Sequence, residues 1–282
     1  MTNFIAVISG KGGVGKTTTV INLGCALTQF GRDVLLLDAN LQTPHLALYL
    51  GSPKLPHSLN DVIKGRKHIR DAAFLHPSGI KVVPASLRID HMKSTKMGNM
   101  VDILTDLVGT TEIVLLDTAP GFGDEFRLVL TAARKAIVVT NPELPAVADA
   151  VKAVQLAEEY GATVLGVVIN RVDNTPSELS TKNIQMMINK PILMSIPEDS
   201  NVQVALSIQQ PLVHSHPESP AAIAFKHLAA ALTGQVYKPS LSEEQEQKHP
   251  SPSSQAAFFS SLLNRLRGDQ GAGAQVIQGK AH

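Results

Sequence analysis

The chain has 282 residues, of which 44% are hydrophobic, so it can bury a substantial core in one large domain or two small ones. Its formal net charge is +1, which excludes the globally basic surface expected when nucleic acid is the main ligand. The single cysteine, Cys25, excludes an intramolecular disulfide and a cysteine-rich metal site within one chain, and it favours a reducing, cytosolic setting.

No segment of the sequence is apolar over the length that a membrane span needs. The first apolar stretch, Phe4 to Ile8, has no basic leader and is too short for a signal peptide. No window approaches the ~18 uninterrupted apolar residues of a transmembrane helix. We therefore expect a soluble body whose contact with a membrane would be peripheral.

Short β-branched runs alternate with longer helical patterns through residues 1–234, which predicts one α/β domain of P-loop type, with a mostly parallel central sheet and helices on both faces. The predicted strands are Phe4–Ser9, Asp33–Asp38, Lys81–Pro84, Ile113–Asp117, Ala136–Thr140, Val164–Ile169 and Ile192–Ser195. The predicted helices are Thr17–Phe30, Gly98–Val108, Asp124–Arg134, Ala146–Tyr160, Ser180–Asn189, Ser200–Ile208 and Ala221–Thr233. Gly31 and Gly161 follow two of these helices, where left-handed C-terminal caps are expected.

The composition changes after Gly234. Residues 235–255 are rich in Ser, Glu, Gln, Lys and Pro, which predicts a flexible linker. Residues 256–267 have an apolar period near 3.6 and predict a short amphipathic helix. Its apolar face consists of Phe258, Phe259, Leu262, Leu263 and Leu266. Residues 268–282 are rich in Gly, Ala and Gln and predict a disordered end.

A phosphate-binding motif, G-x-x-x-x-G-K-[ST], follows the first predicted strand and precedes the first predicted helix. Its residues are Gly10, Lys11, Gly12, Gly13, Val14, Gly15, Lys16 and Thr17. Glycines let successive backbone N–H groups point at phosphate oxygens, and the helix N-terminus adds its positive end. Lys16 would reach the β- and γ-phosphates, the Thr17 hydroxyl would bind Mg²⁺, and Thr18 completes the predicted nucleotide-binding segment.

Lys11, directly after the first glycine, is not required by an ordinary phosphate loop. The segment KGGVGKTT resembles the deviant Walker A box of the MinD/ParA family of ATPases, most closely that of MinD, and the resemblance extends over most of residues 1–234. The resemblance implies that Lys11 crosses a dimer interface to touch the nucleotide of the partner. It therefore implies an ATP-dependent homodimer in which Lys11 and Lys16 act together on the phosphates.

Two predicted strands end in aspartates, Asp38 and Asp117, on the edge of the sheet where ligands bind. Buried carboxylates are costly unless they meet a cation, so Thr17, Asp38 and Asp117 are the predicted Mg²⁺ ligands. Asp117 resembles the Walker B aspartate, and the segment from Asp117 to Gly121 resembles the family's second switch. The alternative for each carboxylate is a cap on the following helix.

The first switch departs from the MinD pattern. MinD proteins usually carry D-x-D there, whereas this chain has Asp38, Ala39 and Asn40. An amide can hydrogen-bond a water molecule but cannot accept its proton at neutral pH. We therefore predict slow ATP hydrolysis, with Asp38 or a group from a partner assisting Asn40.

Two further segments resemble the adenine-binding positions of the family. Asn170 and Arg171 end one apolar strand, and Pro197, Glu198 and Asp199 follow another. The absence of an N-K-x-D box around Asn170 favours ATP over GTP. The alternative is that these residues only form turns with side-chain caps.

Residues 256–267 resemble the C-terminal membrane-targeting sequence of MinD. The implied function is an ATP-dependent switch that moves between the cytoplasm and the anionic inner face of the cell membrane, used for positioning such as division-site selection. An unidentified protein effector would bind near Asp149. Alternatives are docking of this helix on protein, a ParA-like DNA-partitioning ATPase, a metallocluster ATPase resembling the nitrogenase iron protein, and a nucleotide-bound scaffold with negligible turnover. Specific DNA binding is not expected from the near-neutral charge.

Overall fold

The computed structural model describes residues 2–52, 55–88 and 100–238, and a single eight-stranded sheet dominates this part of the chain. The strands are β1 (Asn3–Ile8), β2 (Val34–Asp38), β3 (Phe74–Leu75), β4 (Lys81–Val83), β5 (Ile113–Asp117), β6 (Lys135–Thr140), β7 (Thr163–Val172) and β8 (Ile192–Pro197). Their order across the sheet is β3-β4-β2-β5-β1-β6-β7-β8. All neighbours pair in parallel except β3 and β4, which are antiparallel. The predicted fold class is confirmed.

Most helices lie between strands as the alternating sequence pattern predicts, and the last three follow β8. They are α1 (Lys16–Gln29), α2 (Leu46–Tyr49), α3 (Leu59–Ile63), α4 (Met100–Thr105), α5 (Asp124–Ala133), α6 (Leu144–Glu159), α7 (Thr181–Ile188), α8 (Asn201–Ser207), α9 (Leu212–Ser215) and α10 (Pro220–Thr233). Gly31 and Gly161 both have positive φ, 75° and 80°, so these two predicted C-terminal caps are confirmed.

The central strands are apolar on both faces because helices cover both faces of the sheet. In β1, residues Ala6, Val7 and Ile8 are fully buried, and the same holds for Leu36 and Leu37 in β2. Strand β1 lies between β5 and β6. The strands that follow β1 in the chain, β2 to β5, lie on one side of it, and β6 to β8 lie on the other side. The carboxyl end of β1 is therefore the topological switch point at which ligands bind in open α/β sheets.

The chain divides into two units, Met1–Ala229 and Ala230–His282. The whole sheet belongs to the first unit, and of the second the structure describes residues 230–238, where α10 ends at Thr233. The predicted amphipathic segment 256–267, the end 268–282 and all but the first four residues of the predicted linker lie outside the described residues. Among the described helices, none has the length and apolar character to cross a bilayer.

Candidate functional site

The loop between β1 and α1 is packed so tightly that two of its glycines accept no side chain. Gly15, with φ of +97°, immediately precedes α1, and a Cβ there would lie 2.1 Å from Asn170 Nδ2. A Cβ on Gly10 would lie 2.5 Å from the carbonyl oxygen of Asp149 in α6. Close approach therefore requires glycine at position 10, and close approach and positive φ together require it at position 15.

Lys16 points into this loop and is almost fully enclosed, with 7% of its surface exposed. Its Nζ donates to Ser9 Oγ at 2.8 Å, and Ser9 Oγ donates to the Lys11 carbonyl at 2.7 Å. Burial lowers the pKa of Lys16, whereas the negative charge of Asp117 opposes that shift. Ser9 was not predicted as a site residue, because it lies just before the first position of the motif.

The two strand-terminal aspartates lie side by side, since Asp38 and Asp117 are paired in register between β2 and β5. They are 0% and 1% exposed. Thr17 Oγ1 donates to Asp117 Oδ2 at 2.7 Å, but Asp117 Oδ1 is buried without a hydrogen-bond partner. Burial raises the pKa of both carboxyls, and in Asp38 the charge of Asp117 raises it further.

These donors fit a magnesium ion that arrives with a phosphate. Asp117 Oδ1 is buried without a partner, and burial raises the pKa of the Asp117 carboxyl although Lys16 opposes this, so a further cation would stabilise the two carboxylates. Within the described ranges, no group of three or more His, Cys, Asp and Glu side chains is suited to hold a metal. Mg²⁺ typically takes one or two carboxylates and completes its shell with substrate phosphates and water, so Asp117, Asp38 and Thr17 are the residues that would hold it.

Asp38 and Asn40 are both engaged in the loop that follows β2. Asp38 accepts hydrogen bonds from the backbone N–H of Asn40 and of Leu46, each at 3.2 Å, so it also caps the start of α2. Asn40 Nδ2 donates to the Thr43 carbonyl at 2.7 Å, and Asn40 Oδ1 accepts from Thr43 N at 3.0 Å. The Asn40 amide therefore closes a local turn, and its role in orienting water stays a prediction.

The second predicted switch begins at the end of β5. The Thr118 hydroxyl donates to the Val7 carbonyl at 2.8 Å and fixes this loop to β1, while Gly121 has a positive φ of 87°. Glu125, in the first turn of α5, accepts a long hydrogen bond from Gln42 Nε2 at 3.4 Å, and this contact joins the helix after the second switch to the loop after the first. Burial raises the pKa of Glu125.

The two predicted adenine segments lie next to each other at the ends of β7 and β8. Val172 pairs with Pro197, and Arg171 Nε lies 3.9 Å from Glu198 Oε2. Asn170 faces the phosphate loop instead of solvent, because its Nδ2 donates to the Val14 carbonyl at 2.8 Å. The structure thus connects the predicted base-binding strand end to the phosphate loop, although contact of these residues with adenine stays a prediction.

Asp199, the last of the predicted adenine residues, caps two helices. Its carboxylate accepts from Asn201 N at 2.9 Å, in α8, and from Ala221 N at 3.1 Å, in α10. Burial acts to raise the pKa of Asp199, but these hydrogen bonds outweigh it and the pKa is lowered. The capping alternative considered for this segment describes Asp199 well, so its contact with a nucleotide stays a prediction.

Lys11 differs from Lys16 in that its side chain lies on the surface. Its Nζ contacts Glu143 Oε2 at 3.1 Å, and the two side chains are 44% and 59% exposed. Glu143 is the residue before α6, and Asn141 nearby donates to the Asn170 carbonyl at 2.9 Å. The segment from Thr140 to Glu143 thus contacts both the phosphate loop and β7.

Comparisons with known proteins identify relatives of this chain. The ParA family model, described as "NUBPL iron-transfer P-loop NTPase", matches residues 1–233. An uncharacterised ATP-binding protein of Methanocaldococcus jannaschii is 36% identical over 242 residues, which are 86% of this chain and 92% of that protein. The antiactivator FleN of Pseudomonas aeruginosa is 32% identical over 240 residues, which are 80% of this chain and 84% of FleN.

A solved structure is also similar over most of this chain. The septum site-determining protein MinD from Pyrococcus horikoshii, complexed with Mg-ADP, superposes with a TM-score of 0.78 at 30% identity. The match covers 81% of this chain and 95% of that one.

Proposed function

Because this chain belongs to the MinD/ParA family of P-loop NTPases, we propose that it binds and slowly hydrolyses Mg-ATP, and that ATP joins two copies into a homodimer. Closing and opening of the dimer would make the protein a switch for spatial positioning, such as division-site selection. A protein effector would bind this dimer on α6 near Asp149.

The observation that carries the dimer proposal is the contrast between two lysines of one loop. Lys16 is buried and faces the site of its own subunit, whereas Lys11 is exposed and pairs with the exposed Glu143. An ion pair on the surface contributes about 0–1 kcal/mol, so Lys11 can leave Glu143 at little cost. A polyanion presented by a second copy would attract Lys11 more strongly than one screened carboxylate does.

Lys16 and the acidic strand ends would serve the nucleotide bound to their own subunit. Lys16 would exchange Ser9 Oγ for phosphate oxygens, and Thr17 would turn its hydroxyl from Asp117 to the cation. When bound, Mg²⁺ would offset the negative charge that develops on the phosphates during hydrolysis. The amide of Asn40 cannot accept a proton from water, which supports slow turnover.

We propose that the ATP-bound dimer attaches to the inner face of the cell membrane through residues 256–267. Support comes from the sequence, in which the spacing of bulky apolar residues predicts one helical face, with Arg265 and Arg267 in the same segment. A single short helix binds a bilayer weakly, but two helices on one dimer bind through avidity. Nucleotide state would thereby control attachment.

The iron-transfer description of the family model suggests a second function, but the cysteine content of the chain does not favour it. Metal transfer between subunits needs accessible thiolates, and Cys25 is the only cysteine. It is fully buried in α1, and burial raises its pKa to about 11. The ATP switch therefore fits this chain better than a metal carrier does.

Binding and dimerisation can be tested together with Lys16→Ala and a control, Lys182→Ala, which removes an exposed lysine of α7. We expect wild type and control to bind Mg-ATP and to double in mass by light scattering with ATP but not with ADP. Lys16→Ala should bind at least about 100-fold more weakly. Absence of Mg-ATP binding in the wild type, or equal binding by Lys16→Ala, would refute the proposal.

Membrane attachment needs a separate experiment, because it can fail while ATP binding survives. The full chain and a truncation ending at Gly234 are sedimented with anionic liposomes in ATP or ADP. We expect only the full chain with ATP to pellet. Pelleting that does not depend on nucleotide or on the tail would contradict this part of the proposal.

A further inference from the structure

We infer that Asn141 is a positioning residue for the nucleotide phosphates, because its side-chain amide holds the part of the loop that presents the Gly15 N–H. The inference rests on the proposed ATP-binding function. It concerns a residue that follows β6, outside the phosphate-binding motif and outside the predicted adenine segments.

Asn141 is buried, with 7% of its surface exposed, and its amide reaches two neighbouring segments. Asn141 Nδ2 donates to the Asn170 carbonyl at 2.9 Å and lies 3.5 Å from the Val14 carbonyl, which is the long limit of a hydrogen bond. Asn170 Nδ2 donates to the same Val14 carbonyl at 2.8 Å. Two amides from the ends of adjacent strands therefore converge on one carbonyl oxygen of the phosphate loop.

The orientation of the Val14 carbonyl determines the direction of the next N–H group. In a trans peptide the carbonyl and the following N–H point in opposite directions within one plane. Since the Val14 carbonyl points at Asn141 and Asn170, the Gly15 N–H points away from them. That N–H donates to no acceptor in the part of the chain that the structure describes, so it is free for a phosphate oxygen.

Asn170 transmits the effect of Asn141 to the loop. The Cα of Gly15 packs directly on the Asn170 amide, as shown by the 2.1 Å that would separate a Cβ from Nδ2. Asn141 holds the backbone of Asn170 in place, and Asn170 in turn holds Val14 and contacts Gly15. Without the Asn141 amide, the Val14–Gly15 peptide plane could rotate, and the phosphate would have to bind a less ordered loop.

The test compares Asn141→Ala and Asn141→Asp with Asn60→Ala in the full-length chain. Asn60 is a fully buried asparagine in α3 that accepts from Ser86 N, so its removal costs stability away from the loop. Affinity is measured for Mg-ATP and for magnesium tripolyphosphate, which has the phosphates but no base. Asn141→Ala should lower the affinity for both ligands about tenfold.

Asn141→Asp keeps the side-chain shape but places a carboxylate oxygen against two carbonyl oxygens. It should therefore lower the affinity for both ligands more than Asn141→Ala does. The control should lower the melting temperature and change neither affinity. Selective ¹⁵N-glycine labelling adds a measurement that a general loss of stability would not change. The Gly15 amide resonance should shift on addition of Mg-ADP in the wild type, and it should shift less in both Asn141 variants.

Three results would overturn the inference. Weaker binding of ATP with unchanged tripolyphosphate affinity would mean that Asn141 acts on the base side. Unchanged affinity for both ligands, with an unchanged Gly15 resonance shift, would mean that it has no positioning role. Failure of the wild type to bind either ligand would refute the proposed function as well. The wild-type measurement alone separates this result from a failure of the inference on Asn141.

Discussion

Replacement of the buried Walker B-type carboxylate by an amide, Asp117→Asn, should have opposite effects on the nucleotide-free and the nucleotide-bound protein. Asp117 is 1% exposed, one of its oxygens has no partner, and Asp38 lies beside it in register. Burial raises the pKa of Asp117 from 3.8 to about 6, opposed by the Thr17 hydrogen bond and by Lys16. The ionised carboxylate is therefore a destabilising group until a cation binds.

The size of the effect follows from this shift. The difference between 3.8 and about 6 corresponds to about 3 kcal/mol of unfolding free energy at a pH well above 6. Asparagine removes the charge and still accepts from Thr17, but its unpaired amide N–H groups cost about 1–3 kcal/mol. A net gain of about 1 kcal/mol would raise the melting temperature by about 2–4 °C.

The direction of the Asp117 pKa shift determines how the stability difference between Asp117→Asn and the wild type changes with pH. A carboxyl whose pKa is raised by folding contributes stability below its unfolded pKa and loses it as pH rises through the folded value. Asp117→Asn should therefore be more stable than the wild type at pH 8 and less stable at pH 4, where the charge penalty is mostly gone and the cost of the unpaired amide remains. The measurement is thermal unfolding in EDTA at both pH values, with Asp71→Asn, an exposed site, as the control.

Binding of Mg-ATP should reverse the order of the two melting temperatures at pH 8, so that the wild type melts above Asp117→Asn. A ligand at 100 times its dissociation constant adds about 2.7 kcal/mol to the wild type, and Asp117→Asn should lose most of this gain because the Mg²⁺ ligand is missing. A variant that melts below the wild type in EDTA at pH 8 would refute the charge argument. Equal protection of both proteins by Mg-ATP would refute the assignment of Asp117 to the metal.

Three further substitutions test the remaining site residues. Asn40→Asp should raise steady-state phosphate release about tenfold or more, because a carboxylate beside Asp38 can act as a base; an unchanged or lower rate contradicts this. Lys11→Ala should keep Mg-ATP affinity within about threefold but abolish the ATP-dependent dimer in light scattering, and a persisting dimer would exclude its role across the interface. Ser9→Ala leaves Lys16 without its hydroxyl partner, so the nucleotide-free protein should lose about 1–3 kcal/mol and Mg-ATP should raise the melting temperature more than in wild type.

The elements of the site that sequence alone predicts are those encoded within a short segment. The spacing from Gly10 to Thr17 specifies a turn that exposes N–H groups, and the structure has that turn with Gly15 at positive φ. Apolar runs ending in Asp38 and Asp117 specify strand ends, and parallel pairing then brings those ends together. Both predictions need only local pattern and the rule that parallel strands share a carboxyl edge.

The contacts that sequence could not predict join residues far apart in the chain. Asn141 and Val14 are separated by 127 positions, and Asn170 and Val14 by 156. No periodicity marks an isolated buried asparagine, and Asp199 looks like a loop carboxylate until two helix N-termini are seen to meet on it. The short elements β3, α2, α3 and α9 were missed for a related reason, because they are too short to show a period.

One segment, residues 141–149, contacts the phosphate loop at several points; it comprises the residues just before α6 and the first residues of α6. Asn141 supports the Val14 carbonyl, Glu143 pairs with Lys11, and the backbone of Asp149 packs on Gly10. In the proposed dimer Lys11 would leave Glu143 for the nucleotide of the partner, so the start of α6 would lose one of its three ties to the loop. An effector bound to α6 near Asp149 would therefore bind a surface that differs between the closed and open states, and only such a difference lets it favour one of them.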